Sequence, residues 1–360
     1  MRDPIRLTSD RGLLALVGVC TVILVAAALY LARSVFAPLA FALFIIAIVW
    51  PLQRVLQARM PKLLALAVSI LATIVIVTTA ASMIVWGFGR VGRFIANDAP
   101  RFQLLYDQST SWLEGHGIVV AGLWAEHFNM GWLIRLLQQV TARINSTLSF
   151  SFIVLIYVLL GLLEVDTVAL KLREMKNRAA GKVLLAGSAE TAAKLQKYML
   201  VRTLMSLMTG ILVWGFASLA GLQLAAEWGV IAFVLNYIPF IGPLVATVFP
   251  TLFAIAQFQS WQMAVIVFSG LNLIQFLVGS YLEPRISGRV LSISPFMVLF
   301  AVLFFSFLWG IAGAFIGVPI VIAMLTMCRQ HESSRWLADL LGGPAAQVIE
   351  RQVIERLEGR

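Results

Sequence analysis

The sequence predicts an all-α integral membrane protein of about eight membrane segments, its C-terminal half built with broken or re-entrant helices. Three observations predict it. Residues 228–282 contain no Asp, Glu, Lys or Arg, yet hold the break signal Asn236-Tyr-Ile-Pro-Phe-Ile-Gly-Pro243. A second uncharged run, Val290–Cys328, is interrupted by Gly310, Gly313, Gly317 and Pro319. The 360 residues are 61% hydrophobic and only 12% charged, against about 25% charged in a soluble domain. A bilayer core about 30 Å thick is spanned by roughly 20 helical residues. Each run is too long for one upright helix and is broken near its middle, which a membrane tolerates where the freed backbone faces protein or a water-filled cavity.

The elements follow in order. Arg2, Arg6 and Arg11 precede an apolar run, Gly12–Ala32, that is longer than a usual signal-peptide core and is read as an uncleaved first helix. Ser34–Gln53 and Leu63–Gly89 come next, so that 1–89 holds three membrane helices. Residues 90–147 are expected as an extracytoplasmic helical insert. There Leu133, Leu136, Leu137, Val140 and Ile144 recur at helical spacing. The fourth membrane helix is expected within 148–164. A basic cytoplasmic helical segment follows at 165–202, broken near Gly181 and Gly187, with Ser188 as an N-cap and Glu190 in the first turn. Residues 203–328 form the core with broken helices, opening on Thr203–Ala226, and 329–360 a cytoplasmic tail. The Arg and Lys residues that follow the second and fourth segments, with those of the N-terminal tail, place both termini in the cytoplasm.

Two topologies fit the last third. Both long runs cross fully, or 226–258 and 294–327 are re-entrant and Glu283–Arg289 stays cytoplasmic. The second keeps every strong basic cluster on one side and forms an inverted pair of broken elements. Beyond Gly342, Val348, Ile349, Val353, Ile354 and Leu357 mark an amphipathic helix, either a solvated end or a contact with another subunit.

Candidate pathway residues come from the breaks and from one polar stripe. Pro239, Gly242 and Pro243 interrupt the first run, because Pro lacks a donor and Gly allows close backbone approach. The freed carbonyls near Asn236 and Tyr237 are placed to meet a polar solute or a cation. With 268–283 read as one helix, Asn272, Gln275, Gly279 and Glu283 share a face. Glu283 and Arg285 flank Pro284 and read as a gate, a proton-coupling carboxylate or a plain ion-paired turn. Gly310, Gly313, Gly317, Pro319 and Gly279 read as packing or hinge positions, Gly313 and Gly317 as a small-xxx-small pair. Glu164, Asp166, Arg202 and Glu227 lie at segment ends and read as interfacial anchors.

The stretch Lys197–Pro319 resembles the autoinducer-2 exporter family of bacterial membrane transporters. The residues that carry the likeness are Lys197-Tyr198, Trp228-Gly229 through Phe233, Asn236-Tyr-Ile-Pro-Phe-Ile-Gly-Pro243, Glu283-Pro-Arg-Ile-Ser-Gly288, Ser294-Pro295 and the Gly310–Pro319 block. The resemblance implies a permease-like protein of the bacterial inner membrane, a homo-oligomer, with a pentamer in keeping with the family, and export of small molecules. Family members are associated with the quorum signal autoinducer-2, others with sodium or lithium exchange for protons.

The sequence speaks against other chemistry. His116, His127 and His331 form no metal-binding spacing, and there is no phosphate-binding glycine loop, so neither an enzyme nor a cofactor is expected. The net charge of +10 follows the ends of apolar segments, which points to a bilayer rather than nucleic acid. The expectation is a secondary transporter exporting a small polar molecule, with autoinducer-2 itself a candidate. A monovalent cation/proton antiporter and a membrane scaffold are the alternatives.

Overall fold

The computed structural model describes residues 8–98, 144–287 and 293–342. Those residues are helical almost throughout. Eight of their helices are long and apolar enough to cross a membrane by length and composition. Of the insert expected at 90–147, residues 99–143 lie outside the described residues, as does the amphipathic helix expected after Gly342.

The first helix, α1 (Thr8–Leu31), is separated from α2 (Arg33–Gln57) by a break at Ala32. No part of the apolar window of α1 is buried within the chain. It is held near its C-terminal end, where Trp309 Nε1 donates to the Leu29 carbonyl at 3.1 Å and Tyr30 stacks on Phe307. Pro61 opens α3 (Lys62–Asn97), whose last two turns occupy the start of the expected insert. Next, α4 (Ile144–Arg173) packs on α2 through Val154, Val158, Leu162 and Ala42.

The sequence predicts breaks near Gly181 and Gly187 within 165–202 and a separate segment from Thr203 to Ala226. The structure instead has one 42-residue helix, α5 (Arg178–Leu219). At about 1.5 Å per residue it is far longer than the ~30 Å hydrocarbon core. Its N-cap is Asn177, whose side chain accepts from the Ala180 N–H, not Ser188, which lies inside the helix and donates to the Leu185 carbonyl. The break sits at 174–177. Gly181 and Gly187 do not interrupt α5 because each is held by packing: a β-carbon at Gly181 would strike the Leu172 carbonyl, and one at Gly187 would meet Met327 Sδ at 2.7 Å. The helix ends with Gly221 at φ +70°, and the Leu222 N–H reaches back to the Ala217 carbonyl at 2.9 Å.

The first long run folds into a hairpin. Helix α6 (Ala225–Leu235) descends along α5, residues 236–240 turn, and α7 (Ile241–Phe258) returns. Trp228 packs on Phe253, and Gln257 ties the open end by donating to the Gly221 carbonyl at 2.7 Å and accepting from the Gln223 N–H at 2.8 Å. Helix α8 (Trp261–Gln275), capped by Ser260, then runs antiparallel to α5. It passes through a π-helical turn, Phe276–Leu282, into the short α9 (Glu283–Ser287). The second long run, α10 (Pro295–Arg329), is also folded on itself. Gly310 takes φ +66°, ψ −144°, so limbs 295–309 and 311–329 lie side by side. Gly313 faces the Phe305 carbonyl, and a β-carbon at Gly317 would meet the Ala301 carbonyl at 2.6 Å. A last helix, α11 (Glu332–Leu341), covers the open end, helped by the bridge Ile293–Gly342.

The hairpins open at opposite ends of α5. The first opens at its C-terminal end, beside Gly221. The second opens at its N-terminal end, where Gln330 donates to Glu190 at 2.5 Å and Lys194 donates to Thr326 at 3.3 Å. Their inner parts meet: Tyr237 stacks on Phe315 at 5.6 Å, and Ile238 and Ile241 join a core with Ile316 and Val318.

Candidate functional site

A polar stripe on α5 organises the site. Tyr198, Arg202, Ser206 and Thr209 are spaced by four, four and three residues, so they share one face of the helix. All four are buried, in a segment whose other face is apolar and exposed. Close approach is possible because α5 and α6 cross at paired glycines: a β-carbon at Gly210 would lie 2.9 Å from the Gly229 carbonyl, and one at Gly229 would lie 2.8 Å from that of Gly210.

The turn of the first hairpin docks on this stripe. Asn236, 6% exposed, donates from Nδ2 to Ser206 Oγ at 3.3 Å. Tyr237 donates its hydroxyl to Thr203 Oγ1 at 3.0 Å. Among the described residues no backbone N–H donates to the carbonyls of Asn236 or Tyr237, whereas those of Leu235, Ile238 and Pro239 are all used. Pro239 and Gly242 are buried. Only a glycine fits at 242, since a β-carbon there would strike the Leu235 carbonyl. Pro243 starts the return limb and its carbonyl accepts from Thr247 at 3.0 Å. Between them, Phe240 adopts φ +62°, ψ −53°, and the Ile241 N–H bonds the Pro239 carbonyl at 2.7 Å. That is a γ-turn of the rare, strained hand, stored in an exposed aromatic residue at the tip.

Glu283 reaches the stripe from the other side. Arg202 Nη1 donates to both carboxylate oxygens at 2.9 Å. The Arg202 side chain is only 8% exposed, and that of Glu283 25%. A lone guanidinium at that depth would be costly, and the carboxylate cancels its charge. Arg202 is therefore no interfacial anchor, as its position at an expected helix start suggested, but the centre of a buried ion pair. Glu227 is likewise buried, 4% exposed, and accepts from Arg90 Nη1 at 2.8 Å where α3 meets the first hairpin. Asp166 pairs with Lys62 at 3.0 Å in an exposed setting, and Glu164 is exposed.

The stripe expected on 268–283 is divided. Asn272 is exposed and donates to its own helix at the Phe268 carbonyl, 2.8 Å. Gln275 is half-buried, and its Nε2 has no hydrogen-bond partner. Gly279 is exposed with open space about its α-carbon. The π-helical turn between Gln275 and Glu283 breaks the α-helical register that a shared face requires. Arg285 is exposed and lies 3.8 Å over the Tyr281 ring. Gly310, Gly313, Gly317 and Pro319 all belong to the second hairpin, Gly313 and Gly317 packing its limbs together.

Tyr198, Arg202, Thr203, Ser206 and Phe315 were not singled out as site residues by sequence reasoning. A signal existed, the four-residue spacing of polar groups in an apolar helix, but dividing the chain at Thr203 cut through it. Among the described residues no cluster of three His, Cys, Asp or Glu could hold a metal. His331 caps α11, accepting at Nδ1 from the Ser333 N–H, and His116 and His127 lie outside the described residues.

Apolar helices of spanning length, two hairpins opening at opposite ends and a buried polar junction between them define a multi-pass membrane transport protein of permease type. The chain belongs to the AI-2E family of transporters, whose sequence profile matches residues 19–332. It is 28% identical to the AI-2 transport protein TqsA of Escherichia coli (strain K12) over 95% of this chain and 98% of that one. It is 31% identical to YhhT of the same strain over 50% of this chain and 51% of that one. It is 30% identical to a protein of Borreliella burgdorferi over 56% of this chain and 57% of that one. Both of the latter are provisionally named as transport proteins, with no substrate in the name.

Proposed function

We propose that this protein is a secondary transporter that exports a small polar molecule from the bacterial cytoplasm, and that its substrate is handled where the 236–243 turn meets α5 and Glu283. One observation carries the reading: a hydrogen-bonded polar junction, Asn236 to Ser206, is buried between hairpins that open at opposite ends of the same helix. Breaks of this kind build substrate sites in transporters, and local movement of broken helices alternates access to them. Asn272 is exposed and bonds its own helix, and Arg285 lies over the Tyr281 ring, while Tyr237, Pro239, Gly242 and Pro243 belong to the turn that docks at that junction.

The named substrate of the E. coli relative makes autoinducer-2 the first molecule to test. The same proposal puts the protein in the inner membrane with both termini cytoplasmic, which the distribution of basic loops supports, and makes it a homo-oligomer, a pentamer by its resemblance to the family. The antiporter alternative needs a carboxylate free to exchange a cation for protons, and here Glu283 is held by Arg202.

The test is flux in proteoliposomes of the purified full-length protein, with labelled autoinducer-2 outside and a pH-sensitive dye inside. Saturable uptake of the label that is lost in Asn236→Ala supports the exporter. Proton movement that appears only on adding sodium or lithium replaces it with the antiporter. Folded protein that moves neither removes autoinducer-2 as the substrate.

A further inference from the structure

The last described helix, α11, carries an apolar face that no described part of the chain covers. Trp336 and Leu340, one turn apart, are 63% and 68% exposed, while Ala338 between them is fully buried. That burial fixes the depth of the helix. Ala338 packs among Met297, Val321 and Leu325 of the second hairpin, and Ser334 Oγ donates to the Cys328 carbonyl at 2.9 Å. Arg329 is the first charged residue after the apolar run and marks the headgroup level. Leu325 lies one helical turn inside it, so α11 rests level with the last apolar turn of α10 rather than out in bulk water. The helix starts beside the end of one limb, at His331. It finishes beside the start of the other, where the Ser294 N–H reaches the Leu341 carbonyl at 3.5 Å and Ile293 bridges Gly342. Its axis therefore crosses the limbs and runs along the membrane surface.

The side chains sort into three sectors about that axis. At about 100° per residue, Ala338 and Ser334 face the hairpin. Glu332, Arg335 and Asp339 fall together on one flank, and Leu337 and Leu340 on the other. Trp336 lies on the outer side, between the charged flank and Leu340. This is the order of a protein wall, water and hydrocarbon, with the indole at the boundary where the aromatic belts of membrane proteins sit. The limbs beneath already present Phe296, Phe300 and Met324 outward as apolar surface, and the apolar flank of α11 extends it.

We propose that α11 is a membrane-surface helix whose Trp336–Leu340 face docks on the bilayer, with Leu337 and Leu340 at the acyl boundary and Trp336 among the headgroups. By the orientation given above, the leaflet is the cytoplasmic one. The contact is independent of what the protein carries. The charged flank holds two acids and one base, so burial of apolar surface, not charge, supplies the attraction. A ten-residue helix with so little apolar surface would hold a membrane weakly if it were free. Here α10 delivers it to the surface, which makes the docking effectively intramolecular. The bilayer thereby keeps α11 across the mouth of the second hairpin.

Nitroxide accessibility reads this contact directly. Full-length protein with Cys20→Ser and Cys328→Ser is reconstituted into phosphatidylcholine bilayers. It carries one spin-labelled cysteine at a time: Trp336→Cys, Leu340→Cys, Glu332→Cys or Arg335→Cys. All four positions are exposed, so the core is left intact, and Leu340→Cys retains Trp336 in case Trp336→Cys loosens the helix. Oxygen concentrates in lipid, and a nickel chelate stays in water. The expected result is that oxygen outcompetes the chelate at 340, that 336 is intermediate, and that the chelate reaches 332 and 335 about tenfold more readily than 340. Exchanging part of the phosphatidylcholine for phosphatidylglycerol should change none of this. Chelate that reaches 340 as freely as 332 puts the face in water and overturns the proposal. Exclusion of both reagents from 336 and 340 means that protein covers them, either a second copy of the chain or its own residues beyond Gly342, and overturns the bilayer as the occupant. A contact that forms only with the anionic lipid overturns apolar burial as its cause.

Discussion

At the scale of single residues, the junction separates groups that stabilise from groups that act. Removing one partner of the Arg202–Glu283 pair strands a charge in a buried place, which costs about 3–5 kcal/mol in comparable sites. The low end applies here, because Glu283 keeps a quarter of its side chain exposed. Arg202→Gln and Glu283→Gln are each expected to lower stability by about 3 kcal/mol, and the double variant by markedly less than their sum. Chemical unfolding in a fixed detergent, run as a double-mutant cycle, measures this. A strictly additive cycle would mean that the pair is not coupled. Asn236→Ala is expected to behave differently. Its bond to Ser206 is long, and interhelical polar contacts in membranes average about 0.6 kcal/mol, so the variant should fold nearly as well as wild type while losing flux. A loss of stability above about 2 kcal/mol would instead mark Asn236 as structural, since that exceeds the largest such contacts measured.

At the scale of elements, the breaks depend on backbone conformations that particular residues permit. Gly310 takes a backbone region that is almost glycine-only, with open space around it, so Gly310→Ala is expected to cost about 1–3 kcal/mol from strain alone. Gly313→Ala must push the two limbs of α10 apart at the Phe305 carbonyl and should cost more than Gly310→Ala. Gly279→Ala meets nothing, and should be neutral or stabilising by less than about 1 kcal/mol. Thermal unfolding of the three variants gives the order, and a costly Gly279→Ala would contradict the open surroundings seen here. The turn at Phe240 tests stored strain directly. Both Phe240→Ala and Phe240→Gly remove the exposed ring, but only glycine relaxes the positive φ. Phe240→Gly should therefore be the more stable of the two by about 1 kcal/mol. Equal stabilities would show that the turn carries no strain.

These elements also show what the sequence could and could not reveal. The breaks at Asn236–Pro243 and Gly310–Pro319 were legible because Pro and Gly act locally, whatever surrounds them. Two other features were not, because tertiary contacts decide them. Gly181 and Gly187 look like helix breakers, yet Leu172 and Met327 pack against them and α5 continues through both. Nothing in Phe276–Leu282 announces a π-helical turn, and that turn takes Asn272 and Glu283 off a common face. Arg202 was hidden for a related reason. Its position at an expected helix end suggested solvent, and only the placement of Glu283 from 81 residues further on explains a buried guanidinium.

At the scale of the whole molecule, the fold amounts to two hairpins passing each other along one long helix. The apolar surface they leave exposed is what a bilayer requires, and the backbone freed at the 236–240 turn is packed against α5 rather than turned to lipid. This arrangement makes a claim that full crossing does not. If 225–258 returns to the end of α5 from which it left, Gln223 and Gln259 must lie on the same side of the membrane, and His331, at the open end of the second hairpin, on the opposite side. In a background with Cys20→Ser and Cys328→Ser, single cysteines placed at 223, 259 and 331 can be tested with a membrane-impermeant maleimide. With cytoplasmic termini, the first two should label in intact spheroplasts and the third only in inverted vesicles. Labelling of 223 and 259 from opposite faces would mean that the first run crosses the bilayer. The turn at Asn236–Pro243 would then be a kink within a spanning helix, and neither hairpin tip could reach α5 from its own side.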